Sequence, residues 1–414
     1  MKILGITAEY NPFHKGHAYH IEEARKASGA DYTVVAMSGD FTQRGEPAIA
    51  DKWARSRDAI YGGADLVFEL PFVFACNRGE AFASGGVDTL VKAGATYISF
   101  GCEADEPDRL TELAAQLKSR ENGLQEAARD NMTDGLSYAK AYETAVRDEL
   151  GDDAADMILS PNNILAVEYL KRIAFWQERG KDITAVPVRR YGSGYNETNS
   201  MAGFAGASRI RKMIMDGNSE EEIREYVPLE TAGWLSAEGA AMKIAQESRD
   251  AADRLYQLIK GILVRSTSPE LAEIYCIGEG IENRFKSEIV TASDMDSLIF
   301  NVVSKRYTAS AVRRMLIYTA LGLKGKVVDS LLAEPEDGNL AAYLRLLAAG
   351  EAGRKLLRRM EDSVITNVNK QMPQEPRCLE MLSIDMRAAD LYNTLLGKRL
   401  YDYSDKVARP HIES

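Results

Sequence analysis

Lys2-Ile3-Leu4-Gly5-Ile6-Thr7-Ala8, running at once into Glu9-Tyr10-Asn11-Pro12-Phe13-His14-Lys15-Gly16-His17-Ala18-Tyr19-His20, is the stretch that decides the fold. Residues 2–8 are short, apolar and β-rich. Residues 16–27 read as an amphipathic helix closed by Ser28-Gly29. A strand passing through a polar loop into a helix opens an open parallel sheet, whose ligands bind at the carboxyl edge. The alternation continues outward: a strand over 31–37, a helix over 51–61 ending at Gly62-Gly63, and a strand over 65–70 stopped by Pro71. A helix over 79–93 and a strand over 96–100 follow. This order predicts an α/β fold, Rossmann-like, with helices on both faces of a parallel sheet. The strands lack clean alternation, as a sheet covered on both sides requires.

An acidic loop is expected at 103–108, then helices to about Trp176, a strand over 182–188 and a Gly/Ser/Asn-rich loop over 191–206. A helix begins near Ala207. From about Pro228 long amphipathic segments dominate. The expected division is therefore a Rossmann-like domain over 1–228 and a mainly α-helical domain over 229–414. The last dozen residues, with Pro410 and a polar end, are expected to fray.

The net charge of −11 argues against polyanion binding over the whole surface, but leaves room for a local basic stripe. No apolar run approaches the roughly 18–20 residues of a membrane span, and residues 1–6 lack a signal-peptide layout. A cytoplasmic protein with no membrane partner is expected. Cys76, Cys102, Cys276 and Cys378 lie too far apart for a metal motif, so no protein-held metal is expected.

His14-Lys15-Gly16-His17 falls where the first strand meets the first helix. Free N–H groups at a helix start suit phosphate, and Gly16 allows close backbone approach. Two imidazoles three residues apart can stabilise charge growing on a departing pyrophosphate. A second piece, Gly206-Ala207-Ser208-Arg209-Ile210-Arg211-Lys212, opens a helix after a glycine-rich loop. Ser208 there is a cap and phosphate donor by type, and Arg211 a fixed cation one turn on. Together the pieces resemble the nucleotidyltransferase superfamily, which pairs H-x-G-H with a later S/T-x-x-R. One departure is that Ser208 stands where a Ser-Ser-Thr run is common.

A closer resemblance rests on several further motifs. They are Met37-Ser38-Gly39-Asp40-Phe41-Thr42-Gln43-Arg44-Gly45-Glu46-Pro47-Ala48, Asp51-Lys52-Trp53 and Asp65-Leu66-Val67-Phe68-Glu69-Leu70-Pro71. It extends through Phe100-Gly101-Cys102-Glu103, Ser160-Pro161-Asn162-Asn163 and Arg189-Arg190-Tyr191. The chain resembles the bacterial tRNA(Met) cytidine acetate ligase family. The resemblance implies a ligase that activates acetate with ATP and acetylates the N4 amine of the wobble cytidine of elongator tRNA(Met). It implies that His14 and His17 are catalytic. It also implies an ATP site over Thr7, Ala8, Glu9, Tyr10, Asn11, Pro12, Phe13, His14, Lys15, Gly16, His17, Ala18, Tyr19 and His20, joined by Gly101, Asn162, Arg189, Arg190, Ser208 and Arg211. Mg2+ is expected with ATP, held mainly by phosphates and waters.

The residue types agree. Gly101 ends a strand where a base or ribose can pack on bare backbone. Asn162 offers a donor and an acceptor, or a simple N-cap. Of Arg189 and Arg190, one suits phosphate and the other structure. Gln43, Arg44 and Lys52 face either acetate and the leaving group or solvent. In the second half, Lys305-Arg306-Tyr307 with Arg313, Arg314, Lys324 and Lys326 suits an RNA backbone and a stacked base, or is a solvated face. Arg354, Lys355, Arg358 and Arg359 form a second such face. Two other readings stay open: a small-molecule adenylyltransferase, and a nucleotide-binding RNA module without catalysis. The amphipathic helices leave oligomerisation open.

Overall fold

The computed structural model describes residues 1–103, 107–133, 136, 138–190, 204–229, 233–235, 239–360 and 364–413. Most of the glycine-rich loop expected over 191–206, and part of the acidic loop at 103–108, lie outside them.

The strands are β1 (Ile3–Ala8), β2 (Tyr32–Ser38), β3 (Leu66–Leu70), β4 (Tyr97–Cys102), β5 (Thr184–Arg189), β6 (Leu344–Ala349), β7 (Val364–Ile365) and β8 (His411–Ile412). They form one sheet in the order β5-β4-β1-β2-β3-β6-β7, with β8 also on β6. β1 to β5 are mutually parallel. Their order, 3-2-1-4-5, is the doubly wound one, so the strand order reverses between β1 and β4 and a crevice opens beyond their carboxyl ends. Helix α1 (Lys15–Ser28) follows β1 and helix α2 (Lys52–Tyr61) follows β2. β2 and β3 are buried almost throughout because both faces are covered.

The sheet does not end with the first half of the chain. β6, Leu344-Arg345-Leu346-Leu347-Ala348-Ala349, pairs antiparallel with β3 and is wholly buried. Its leucines and alanines favour helix in isolation; the open edge of β3 overrides that preference. Packing also crosses the boundary placed near Pro228. Ile210, Ile214, Ile223 and Val227 share one apolar cluster with Leu235, Ala241 and Ala245. Helical content changes along the chain, but the core runs through both halves. The end of the chain is pinned rather than frayed: β8 pairs with β6, and Asp405 is buried. No helix among the described residues is long and apolar enough to cross a membrane.

A buried charge cluster joins the sheet to this C-terminal tail. Lys52 Nζ lies 2.7 Å from both Glu69 Oε1 and Asp405 Oδ2, and 4.0 Å from Asp40. Arg345 on β6 reaches Asp405 at 2.6 Å and Glu69 at 3.0 Å. Lys52 therefore faces neither acetate nor solvent; two carboxylates from distant segments hold it under the sheet edge. Removing one partner of such a buried network leaves charges uncompensated, which costs about 3–5 kcal/mol. Lys52→Met is expected to lose about that much stability in urea unfolding, and a loss below about 1 kcal/mol would show that the cluster contributes little.

Candidate active site

Helix α1 starts in the crevice between β1 and β4. His14 is its N-cap, with extended backbone, and His14 Nδ1 accepts from Gly16 N at 3.0 Å. His17 completes the reciprocal cap: its Nδ1 accepts from His14 N at 3.3 Å. The two rings stack with centroids 3.6 Å apart. A neutral imidazole whose Nδ1 accepts must carry its proton on Nε2. The cap thus fixes both tautomers and leaves two Nε2–H donors. His14 Nε2 is buried without a protein partner among the described residues. Gly16 serves this arrangement directly, since a Cβ there would come 2.9 Å from the His14 ring. The ring of His14 requires the glycine.

Burial keeps these rings uncharged. Desolvation first, then Arg190 and Arg211, push His14 down to about 3. His17 is driven well below the ordinary imidazole value by burial, then by His14 and Arg190. His20, one turn on, is lowered to about 4 by burial and Arg190. It is tied to Ser99 Oγ on β4 at 2.8 Å. His20 thus braces α1 against the sheet while the other two rings form the donor pair.

The loop beneath the pair is heavily braced. Phe13 fills the space under Gly62, where a Cβ would meet its ring at 2.1 Å. Tyr10 sets its ring edge against His17 at 4.8 Å. Arg55, fully buried on α2, donates to Glu9 O at 2.6 Å, Ser38 O at 3.2 Å, Ala50 O at 2.9 Å and Gly39 O. Glu9 Oε1 accepts from Gln43 N at 2.6 Å, and burial raises the Glu9 carboxyl. Asn11 Oδ1 accepts from Ile49 N at 2.8 Å, and Asn11 O accepts from Arg211 at 2.6 Å. Ala8, Ala18 and Tyr19 pack on the core of this face, while Thr7 lies against Gly86. Pro12 follows a cis peptide bond.

The far pieces converge as expected, with differences in detail. Arg211 reaches the loop from the helix Ala207–Asp216 and also holds Ser208 Oγ at 3.3 Å. The N-cap of that helix is Gly206, so Ser208 stands two positions too far in to cap. Lys15 turns aside, its Nζ donating to Glu225 O at 2.6 Å. Arg190 lies across Gly101, where a Cβ would come within 2.8 Å of its side chain. The bare backbone at Gly101 therefore seats an arginine. Asn162 is not a cap; its amide and Ser160 Oγ both donate to Glu103, whose own N–H donates to Asn163 Oδ1 at 2.9 Å. Arg189 ends β5 at the surface. Arg55, Ser99 and Glu103 were not singled out in the sequence. Arg55 and Glu103 stand inside or beside the quoted motifs, but no one-dimensional signal shows that they turn inward.

Much of the basic stretch of the second half is engaged. Arg306 pairs with Glu279, Arg313 with Glu46 at 3.5 Å, and Lys324 with Glu273 at 2.8 Å. Arg314 donates to Gln43 O at 2.9 Å, which joins this helix to the loop carrying Glu9. Arg354 donates to Glu413 O at 3.1 Å. Among the described residues no group of three or more His, Cys, Asp or Glu is placed to hold a metal.

The model of a family described as HIGH Nucleotidyl Transferase matches residues 1–406. The tRNA(Met) cytidine acetate ligase of Caldicellulosiruptor saccharolyticus is 34% identical over 99% of this chain and 98% of that protein. The chain belongs to that ligase family. The enzyme of the same name from Limosilactobacillus reuteri is 33% identical over 95% of each chain. Thermotoga maritima TmcAL, solved without ligand, superposes with a TM-score of 0.84 at 26% identity, over 100% of this chain and 99% of that one. The same TmcAL bound with alpha-thio ATP matches equally well. The ligase fold is thus present over its whole length.

A titration test follows from His14. Its folded pKa is depressed, so the unfolded chain binds the extra proton, and this contribution to stability is lost as pH falls from 6.5 toward 3. His14→Asn keeps a capping side chain but removes that titration. The urea midpoint of the native chain is expected to fall more between pH 7 and pH 5 than that of the variant; parallel curves would show that His14 is not held neutral by the fold.

Proposed function

We propose that the chain is an ATP-dependent ligase that forms acetyl-adenylate from acetate and passes the acetyl group to the N4 amine of the wobble cytidine of elongator tRNA(Met). One observation carries the reading: two stacked imidazoles whose Nδ1 atoms are both taken up by the cap, with His14 Nε2 buried and without a protein partner among the described residues, at a helix N-terminus in the crevice between β1 and β4. Arg190 and Arg211 approach the same point from the two sides.

In this reading the phosphates of ATP lie over the start of α1. Acetate oxygen attacks the α-phosphorus, and the bond to pyrophosphate breaks. Nε2–H of His14 and His17 donates to the oxygens that gain charge, and the arginines supply the positive field. Donors fixed in advance need no reorganisation during the reaction. Asn162, Arg189 and Ser208 complete the binding of ATP around this centre, and Gly101 holds Arg190 in place. Mg2+ accompanies ATP on the phosphates and waters. The transferred acetyl group then meets the tRNA amine and AMP leaves. No covalent enzyme intermediate is needed, so positioning and charge stabilisation carry the rate. The helical part of the chain takes the tRNA. The enzyme works in the cytoplasm.

His14→Ala and His17→Ala are each expected to lower acetate-dependent pyrophosphate exchange by about 10²-fold with folding retained. Near-normal exchange in both would overturn the assignment.

A further inference from the structure

A cavity lies beside the ATP loop, sharing with it the contacts of Ile49 and Arg211 to Asn11. Its volume is about 780 Å³, within the roughly 300–1,000 Å³ range of small-molecule sites. One side is the loop carrying Glu46, Ala48 and Ile49. The other side comes from the second half of the chain: Ser248 on the long helix Ala240–Arg265 and Arg313 on the helix Ala309–Leu321. Arg211 lines it too.

We infer that this cavity receives the cytosine ring whose amine is acetylated, an inference that rests on the ligase reading above. The cavity is continuous in structure with the ATP loop. Ile49 on its wall donates to Asn11 Oδ1, and Arg211 on its wall donates to Asn11 O, three residues before His14. Arg211 also bears on His14 itself, which it helps to hold uncharged, so this wall of the cavity belongs to the surroundings of the His pair. Polar groups on the wall are complementary to cytosine. The ring presents an amine donor at N4 and acceptors at N3 and O2. Glu46 is an acceptor, and Arg313, 3.5 Å from it, is a donor. The target base lies in a single-stranded loop, so turning it outward costs little stacking energy.

The arrangement also explains why the second half is needed. The α/β part alone supplies one wall; the helices supply the other. In the transfer step, the N4 nitrogen attacks the carbonyl carbon of acetyl-adenylate and a C–N bond forms. The bond from that carbon to the phosphate oxygen breaks, AMP departs with both electrons, and N4 releases one proton to solvent.

Ser248 is the position for a test, because its hydroxyl only back-bonds within its helix, to Ile244 O at 2.8 Å. Ser248→Trp sets an indole into the cavity, a group larger than the ring that it is meant to exclude. Acetate-dependent pyrophosphate exchange is expected within about twofold of the native chain, with acetyl transfer to tRNA down about tenfold or more. Transfer at the native rate in this variant overturns the inference. Ser248→Cys supplies a second reading that does not depend on tolerance of tryptophan. Alkylation at residue 248 by a maleimide, followed by peptide mass spectrometry, is expected to slow several-fold with tRNA present and to be unchanged by ATP alone. Alkylation indifferent to tRNA overturns the inference as well. A native chain that exchanges pyrophosphate but acetylates no tRNA would refute the ligase reading itself, and this shows before any variant is made.

Discussion

Arg55 donates to the carbonyls of Glu9, Ser38, Gly39 and Ala50, which belong to three separate segments at the carboxyl edge of the sheet. Loops at such an edge leave carbonyls that water cannot reach, and an unsatisfied buried carbonyl is costly. A guanidinium has five donors in a rigid fork and is hard to deprotonate, so it can satisfy several carbonyls at once. The position of Glu9 fixes the entry to the loop at 10–14. That loop in turn sets the N-cap of α1, and the cap sets the two imidazole tautomers. Lys52, three residues before Arg55 on the same helix, is clamped by Glu69 and Asp405. Helix α2 is therefore held from both directions, by the sheet and by the end of the chain.

The fold produces neutral imidazoles as donors rather than imidazolium cations. Permanent charge comes from Arg190 and Arg211, which stay protonated whatever the state of the histidines. The division has a physical reason. Cationic rings stacked at 3.6 Å would repel each other in a dry site, whereas neutral rings can stack and still direct two N–H groups. The same burial that lowers the His14 proton affinity leaves its Nε2 without a protein partner among the described residues. Site construction and electrostatics thus follow from one arrangement.

The sequence made the parallel core and the H-x-G-H helix start legible because both leave local signals: β-rich runs, helix stops at glycine pairs, and a strand–loop–helix junction with histidines. It also brought Ser208 and Arg211 to the site, through a helix start after a glycine-rich loop. Other features carry no local mark. β6 is a leucine–alanine run that reads as helix until the open edge of β3 is known. Lys52 and Arg55 look like the solvated face of an amphipathic helix, since periodicity cannot tell inward charge from outward charge. Glu103 reads as part of an acidic loop, yet it orders the start of the helix Pro161–Glu178 through Ser160 and Asn162. The junction near Pro228 marks a change in composition, while the core continues through it by long-range pairing.

The central claim is that acetate oxygen becomes bonded to the α-phosphorus over the start of α1 before the acetyl group moves on. Acetate labelled with heavy oxygen in its carboxyl group tests this most directly, in one complete reaction with ATP and tRNA analysed by mass spectrometry. The account predicts one labelled oxygen in the AMP released, because the bond between the carbonyl carbon and that oxygen breaks in the transfer step. AMP free of label, or label found in inorganic phosphate or pyrophosphate, would contradict it.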